Sequence, residues 1–342
     1  MARPAAQSAA RPDPVPLTDR LTSAAFIGLI RVLRLLPYRR RIPAMGWAFA
    51  HLAAPLAGWR RRIRDNLALA RPDLDPAEVR RLTYAVPDNA GRSIMEIYSG
   101  PEFAARVAAA DPLTGPGLPA LEQAVAAGRP VILACAHFGN YDAARAALGA
   151  RGWTVGGLYR PMNNRAFNRH YIPAMTSIAE PLFPRGRAGL SAMIRFLRGG
   201  GILCLGFDQF DRHGRTLRFF GLPSETVLTP AELALRYDAA LIPIAAIRQP
   251  DGLRFAVQVG EPVPPGEPEA MMQALNDDLE RVVRAHMDQW FWIHRRWKPR
   301  RRKAGPGDDP DLPMSGPGLP ISGSGVPAGG SETVSIDSDK RL

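Results

Sequence analysis

The sequence predicts an α/β fold with a mostly parallel central sheet flanked by helices, preceded by a helical N-terminal segment. Three observations predict it. From residue 117 onward, short apolar runs alternate with helix-length segments, and strands separated by helices imply a parallel sheet covered on both faces. Several of these runs stop at residues able to carry chemistry, as expected where α/β proteins bind ligands at strand carboxyl ends. Upstream, two apolar stretches flanked by arginines precede the alternation.

The elements follow in order. Residues 1–16 are rich in Ala, Pro and Arg and are expected to be disordered; Pro and Asp interrupt any early apolar run, so no secretory signal is read. Leu21 to Leu36 contains Ala25-Phe-Ile-Gly-Leu-Ile with Arg31 and Arg34 among leucines, and Ile42 to Gly58 carries Pro43, His51 and Pro55. Each falls short of the roughly 20 residues a spanning helix needs. Two readings stand, interfacial helices or core helices; the arginines at 39–41, 60–62 and 64 favour the membrane interface. A single tilted span with snorkelling arginines stays open. Residues 17–70 therefore read as a membrane-associated helical segment and 71–303 as an α/β domain.

Arg60–Ala70 and Pro76–Tyr98 read as helices, with Glu96 either a substrate contact or, the favoured reading, a partner for an arginine. Strands are expected near 130–136, 153–158, 201–206, 241–247 and 254–260. Helices are expected near 117–128, 141–150, 163–178, 188–199 and 229–238, with a last one over about 267–289. Residues 304–342 are a Gly/Pro/Ser/Asp tail without periodicity, expected to be disordered.

Composition narrows the function. The chain of 342 residues is 46% hydrophobic, ample for a core. Cys135 and Cys204 are its two cysteines and both sit in apolar runs, which excludes a disulfide framework and leaves no Cys/His cluster for zinc. The formal charge is +12; the tail 304–342 holds six acids and two bases, so residues 1–303 carry +16. Nearly all of it is arginine, since Lys298, Lys303 and Lys340 are the only lysines. Such a charge favours an anionic partner: nucleic acid, anionic lipid, a phosphorylated substrate or an acidic carrier protein.

Four segments carry potential chemistry. Val131-Ile-Leu-Ala-Cys-Ala-His137 is an apolar run ending in histidine, with Gly139-Asn140 breaking it and Asn140 placed to cap the next helix. Asp142 lies in the first turn of that helix, close enough in sequence to fold back on the imidazole and make His137 a general base. With 6 His and 32 Asp+Glu in the chain, the spacing alone decides little; the strand-end position decides more. Next come Tyr159-Arg160-Pro161-Met-Asn163-Asn164 and Gly206-Phe-Asp208-Gln209-Phe-Asp211, each after a predicted strand. The last is the aromatic-basic Trp290–Lys298.

In this order the segments resemble the bacterial lipid A biosynthesis late acyltransferases, the lauroyl/myristoyl transferases. The resemblance rests on His137/Asp142, Tyr159-Arg160-Pro161-x-Asn163-Asn164 and Asp208-Gln209 followed by Phe219-Phe220-Gly221. It also rests on Trp292-Ile-His294-Arg295-Arg296-Trp297-Lys298 and on Arg64-Asp-Asn66-Leu. It covers about residues 20–303. Two departures stand out: Asp142 occupies a place usually held by glutamate, and Phe210 follows Gln209 where a second acid is usual, leaving Asp211 unassigned.

The resemblance implies a glycerolphosphate-acyltransferase-like fold. It implies catalytic roles for His137, Asp142 and Arg160, and substrate contacts from Asn140, Asn163, Asn164, Asp208, Gln209, His294, Arg295 and Arg296. It implies no metal and no cofactor. The donor is then an acyl-acyl carrier protein, the acceptor a lipid A precursor or other phosphorylated lipid, and the location the cell inner membrane with the active site facing the cytoplasm. His137 would deprotonate an acceptor hydroxyl for attack on a thioester, while Arg160 or a backbone amide near Gly139 would serve the oxyanion or a substrate phosphate. The Trp290–Lys303 segment either docks a substrate or simply ends a helix. Two alternatives remain: the same chemistry on a lysophospholipid or aminolipid, related families acting also on mannosylated phosphoinositides, and a non-catalytic basic protein that binds membrane or nucleic acid. No nucleic acid is expected, because basic and aromatic residues interleave only at 290–298.

Overall fold

The computed structural model describes residues 15–298. The terminal segments expected to be disordered lie outside the described residues, apart from Val15 and Pro16. Among the described residues six helices come first: α1 (Leu17–Leu33), α2 (Tyr38–Ala48), α3 (Ala54–Leu56), α4 (Trp59–Ala70), α5 (Pro76–Ile97) and α6 (Gly100–Ala109). A π-helical turn, Phe49–Ala53, joins α2 to α3. The second apolar stretch is thus helical despite Pro43 and Pro55. The alternating part runs β1 (Leu113–Thr114), α7 (Leu118–Ala126), β2 (Val131–Cys135), α8 (Tyr141–Ala150), β3 (Val155–Tyr159), α9 (Arg165–Thr176), β4 (Leu182–Pro184), α10 (Arg187–Arg198) and β5 (Ile202–Gly206). The chain continues through β6 (Arg215–Phe219), β7 (Leu222–Thr226), α11 (Thr229–Arg236), β8 (Ala240–Arg248), β9 (Phe255–Val259) and α12 (Pro268–Ala285).

The main sheet has seven strands in the order β1-β9-β8-β2-β5-β3-β4. It is parallel from β8 through β4; β9 returns antiparallel to β8, and β1 runs parallel to β9. The mostly parallel sheet flanked by helices is therefore present, with an antiparallel edge where a short loop joins β8 to β9. Strand β2, Val-Ile-Leu-Ala-Cys, lies between β8 and β5 with every residue buried, as an apolar run covered on both faces should be. The small antiparallel ribbon β6–β7 is separate. It brings Phe219 and Phe220 against the indoles of Trp290, Trp292 and Trp297.

Local chemistry fixes the helices that frame the site. Asp75 caps α5 by accepting from the Ala77 amide (2.6 Å), with Pro76 at the first helical position. Gly91 in α5 lets the α2–π segment pass: a Cβ there would lie 2.6 Å from the Met45 carbonyl and 2.7 Å from Phe49 Cβ. Helix α1 docks on this body through Phe26, whose ring meets Phe49, Tyr98 and Phe167. His170 bridges Ser23 (2.8 Å) and Tyr98 (2.6 Å). The outer side of the N-terminal helices leaves Leu17, Leu21, Val32, Leu35, Trp47, Leu52 and Leu56 exposed. Among the described residues no helix is long and apolar enough to cross a membrane.

Candidate active site

Strand β2 ends at Cys135 and releases His137 at the carboxyl edge of the sheet, beside the end of β5, where Cys135 pairs with Gly206. Two residues past Gly206, Asp208 reaches across to the histidine. Its Oδ1 lies 2.8 Å from His137 Nδ1, and its Oδ2 accepts from the His137 backbone amide (3.0 Å) and from the Trp290 indole N–H (2.9 Å). Burial raises the Asp208 carboxyl, but the imidazole, the indole and the amide outweigh it and hold the pKa down at about 2. Burial likewise lowers His137, and the Asp208 charge and hydrogen bond turn that into a net rise above the ordinary 6.5. With Nδ1–H directed at a carboxylate, Nε2 carries the lone pair. The Gln209 side-chain amide donates to it over 3.2 Å. The imidazole keeps 38% of its side-chain surface open.

The expectation that Asp142 folds back on His137 is corrected. Asn140 is the N-cap of α8 and accepts from the Asp142 amide at 3.0 Å, which makes Asp142 the second helical residue. From there its side chain runs along α8 to Arg145, three residues on, whose Nη1 donates to Oδ1 at 2.7 Å. Both side chains are buried. Burial raises the Asp142 carboxyl, against the pull of Arg145. Arg145 continues to the Ala179 carbonyl (2.5 Å), tying α8 to the segment before β4. Among the described residues no hydrogen bond joins Asp142 to His137.

The other expected site residues separate into three groups. Gln209 and Arg160 face the cavity. Arg160 is exposed at the mouth and donates to Asn163 Oδ1 at 3.2 Å. Asn140 and Asn164 are held by the fold. Asn140 donates to Glu96 (2.8 Å), and Asn164 caps α9 through the Phe167 amide (3.0 Å) while donating to the Asp19 carbonyl (3.0 Å) of α1. His294 and Arg296 brace the Asp208 loop from behind. His294 Nε2 accepts from the Phe210 amide (2.9 Å), and burial lowers its pKa to about 4, which keeps it neutral. Arg296, 1% exposed, donates to the carbonyls of Gln209 (2.8 Å) and Glu225 (2.7 Å) and to Thr226 Oγ1 (2.6 Å). Burial lowers its pKa to about 10, so it stays cationic at neutral pH. Arg295 is exposed. The substrate contacts expected of Asp208, His294 and Arg296 are thus corrected to contacts within the fold, whereas Asn140 and Asn164, though held by the fold, also line the cavity.

Two contributions escaped the sequence reading. Segment 289–291 lies along 137–139 like an added strand: the Phe291 amide donates to the His137 carbonyl and the Gly139 amide to the Gln289 carbonyl, each at 2.9 Å. The Gly139 amide, an expected oxyanion donor, is therefore occupied. Gly139 has φ +54°, and a Cβ would collide with the Ala246 carbonyl, so only glycine suits this corner. Beneath it, buried Glu96 pairs with Arg248 through two contacts, one of 2.8 Å, and Ser93 donates to the Gly139 carbonyl (2.9 Å). The Glu96 reading as an arginine partner holds. The Trp-rich run was the available signal for Trp290; nothing in the sequence paired that indole with Asp208.

His137 opens onto a cavity of about 540 Å³. Its walls include Val86, Ile94, Ile97, Tyr171, Met175 and Leu182, and its rim includes Arg160 and Asn163. An apolar slot ending at a carboxylate-oriented imidazole can hold an alkyl chain and activate a hydroxyl beside it. Among the described residues no group of three or more His, Cys, Asp or Glu could hold a metal ion.

A family model described as bacterial lipid A biosynthesis acyltransferase matches residues 16–299. A phosphatidylinositol mannoside acyltransferase of Mycobacterium tuberculosis (strain H37Rv) is 28% identical over 185 residues, 53% of this chain and 58% of that protein. The corresponding enzyme of Mycolicibacterium smegmatis is 24% identical over 181 residues, 52% of this chain and 60% of the relative. A lipid A biosynthesis lauroyltransferase of Escherichia coli K12 is 24% identical over 288 residues, 80% of this chain and 90% of the relative.

Proposed function

The chain belongs to the bacterial lipid A biosynthesis acyltransferase family, and from that premise we propose that it moves a fatty acyl chain from an acyl-acyl carrier protein to a hydroxyl of a lipid A precursor. His137 is the general base and Asp208 its orienting partner. The observation that carries this reading is the Asp208–His137 pair with Nε2 turned toward an apolar cavity. The body charge of +16 suits an acidic carrier protein and a phosphorylated lipid alike.

The chemistry proceeds through the chain's own groups. The acceptor hydroxyl displaces the Gln209 amide from His137 Nε2 and gives its proton to the imidazole as its oxygen attacks the thioester carbonyl. Asp208 stabilises the imidazolium through Nδ1–H. The tetrahedral intermediate expels the thiolate, which takes the proton back from Nε2, leaving an ester and a free thiol. Gln209, released from Nε2, is a side-chain donor beside the imidazole that can serve the oxyanion; such donors contribute about 3–4 kcal/mol. Arg160 at the rim serves a substrate phosphate. Asp142 supports the site through α8 by its pair with Arg145.

A second reading differs in the acceptor alone. The match to phosphatidylinositol mannoside acyltransferases favours a mannosylated phosphoinositide. We further propose that the enzyme works at the cytoplasmic face of the inner membrane. The exposed Leu17, Leu21, Val32 and Leu35 sit with Arg31, Arg34, Arg39 and Arg40 in α1, the turn after it and the start of α2, a composition suited to an anionic interface.

The test is acyl transfer in detergent micelles from a panel of acyl-carrier-protein thioesters, with wild type and His137→Ala side by side. The acceptors are a lipid A precursor, a phosphatidylinositol mannoside and lysophospholipids. Transfer to the lipid A precursor that is lost in the variant is the expected result. Transfer to another acceptor alone reassigns the substrate, and equal activity in His137→Ala overturns the general base.

A further inference from the structure

The floor of the cavity beside His137 is one face of the sheet. Cys135 on β2 pairs with Gly206 on β5, Cys204 on β5 pairs with Gly157 on β3, and Gly157 pairs with Leu182 on β4. Side chains alternate along a strand, so Cys204 and Gly206 share a face. All five residues border the cavity. A trench therefore crosses the strands from the imidazole toward β4. A Cβ on Gly206 would lie 3.7 Å from His137 Cε1, and one on Gly157 would meet Leu182 Cδ2 at 3.1 Å and Arg145 Nε at 3.6 Å.

The backbone demands glycine at neither position, since neither has a positive φ. Gly156, on the opposite face of β3, differs: its Cβ would press on Phe183 at 2.9 Å and on Leu203 and Phe196 at 3.0 Å. Packing thus accounts for Gly156. At Gly157 a Cβ would make ordinary contacts apart from one movable leucine methyl. Glycine weakens a strand and marks a place where something approaches closely, and what the missing side chain leaves at Gly157 is room in the cavity.

The far end of the trench changes character. Leu182 stands across it, and Arg145 reaches down from α8, with Nη1 on Asp142 (2.7 Å) and Nη2 on the Ala179 carbonyl (2.5 Å). Asp142 Oδ2 and Arg145 Nε have no hydrogen-bond partner among the described residues. Both side chains are buried, and both residues border the cavity. An alkyl chain laid against these atoms would desolvate them without supplying a hydrogen bond. The apolar path from His137 therefore ends at Gly157, between Leu182 and this polar pair. That end lies two strand spacings from β2, about 10 Å across the sheet.

We propose that Gly157 and Leu182 set the length of the fatty acyl chain that the enzyme accepts, Gly157 by leaving the trench open and Leu182 by closing it beside the Asp142–Arg145 pair. The place of this slot in catalysis rests on the acyl-transfer reading; its capacity for an alkyl chain does not.

The first arm is kinetic. The kcat/KM ratio of hexadecanoyl to decanoyl carrier-protein thioester is measured in wild type, Gly157→Val and Leu182→Ala. A methylene that no longer fits an apolar pocket costs about tenfold or more, so the ratio should fall by at least that much in Gly157→Val. It should rise in Leu182→Ala, which opens the end wall. Gly157→Ala should lower the ratio by less and guards against misfolding of the valine variant. Gly149→Ala, at the exposed end of α8 where a Cβ meets nothing within 4 Å, should keep the wild-type ratio. An unchanged ratio in folded Gly157→Val or Leu182→Ala, or an equal change in Gly149→Ala, overturns the proposal. The second arm is calorimetric titration of the full chain with decanoate and hexadecanoate, which needs no reaction. The affinity ratio should move in the same directions, and wild type that binds neither acid overturns the slot. If wild type transfers acyl chains to no acceptor, the acyl-transfer reading fails while the fatty-acid affinities still decide what Gly157 and Leu182 do.

Discussion

Asp142 and Asp208 are equally hidden, at 0% and 3% exposed, yet they hold opposite positions in the site. Asp142 lies five residues from His137 in sequence and spends its contact on Arg145; Asp208 lies 71 residues away and holds the imidazole by side chain and backbone. Their ionisation follows their partners. Three donors hold Asp208 at about 2, whereas burial dominates at Asp142 and raises it. The lesson is geometric. A residue at the start of a helix that leaves a strand points along that helix, while the end of the neighbouring parallel strand faces the first strand's last residue directly.

Four substitutions or titrations can break or sharpen this contrast. The largest effect is expected for Asp208→Asn, which keeps the shape and removes the charge. Turnover should fall by about 10³–10⁴ with folding intact, the scale known for amide replacement of a histidine-orienting carboxylate. A rate within threefold of wild type by steady-state assay would remove Asp208 from the mechanism. Next is Asp142→Ala, which leaves the Arg145 guanidinium buried without its partner. Losing one member of a buried pair costs roughly 3–5 kcal/mol, so a denaturant melt should show a large loss of stability. The surviving folded protein should turn over within about tenfold of wild type on the scale of general-base effects.

Trp290→Phe comes third. It removes one neutral donor from Asp208, worth roughly 1–2 kcal/mol for a hydrogen bond to a charged group. Activity should drop about tenfold, and the Asp208 carboxyl should rise from about 2. The smallest effect is a shift in pH dependence. His137 must be unprotonated to act, and its pKa is raised above 6.5, so kcat/KM should climb with pH through a value above 6.5. In Asp208→Asn the depressing effect of burial is unopposed and the limb should move below 6.5. The linkage to stability has the matching sign. The Asp208 contribution is full above its ordinary 3.8 and is lost as pH falls through about 2. The His137 contribution is present below 6.5 and lost as pH rises through its raised value.

The parallel body of the sheet was legible because its strands are short, apolar and separated by helical spacing. β2 and β5 lie within a residue or two of their expected places, and α8 spans the expected 141–150. β4 was not legible: Leu182-Phe-Pro is too short for a period and joins the sheet only through β3. The β6–β7 ribbon was also missed, since its arginines hide the alternation. Within the site, His137 could be found because a buried strand that ends in histidine is conspicuous. Its true carboxylate could not be identified, since parallel register between β2 and β5 is set by packing across 71 residues. His294 and Arg296 were read as substrate contacts on the resemblance carried by the Trp292–Lys298 run. Their burial against the Phe210 amide and the Gln209 carbonyl is a tertiary fact.

The measurement that tests the central claim most directly is an NMR titration of the His137 imidazole in wild type, Asp208→Asn and Asp142→Asn, which needs no substrate. The account predicts a midpoint above 6.5 in wild type, a fall below it in Asp208→Asn, and little movement in Asp142→Asn. A midpoint that stays put in Asp208→Asn but shifts in Asp142→Asn would contradict it and return the orienting role to the nearer aspartate.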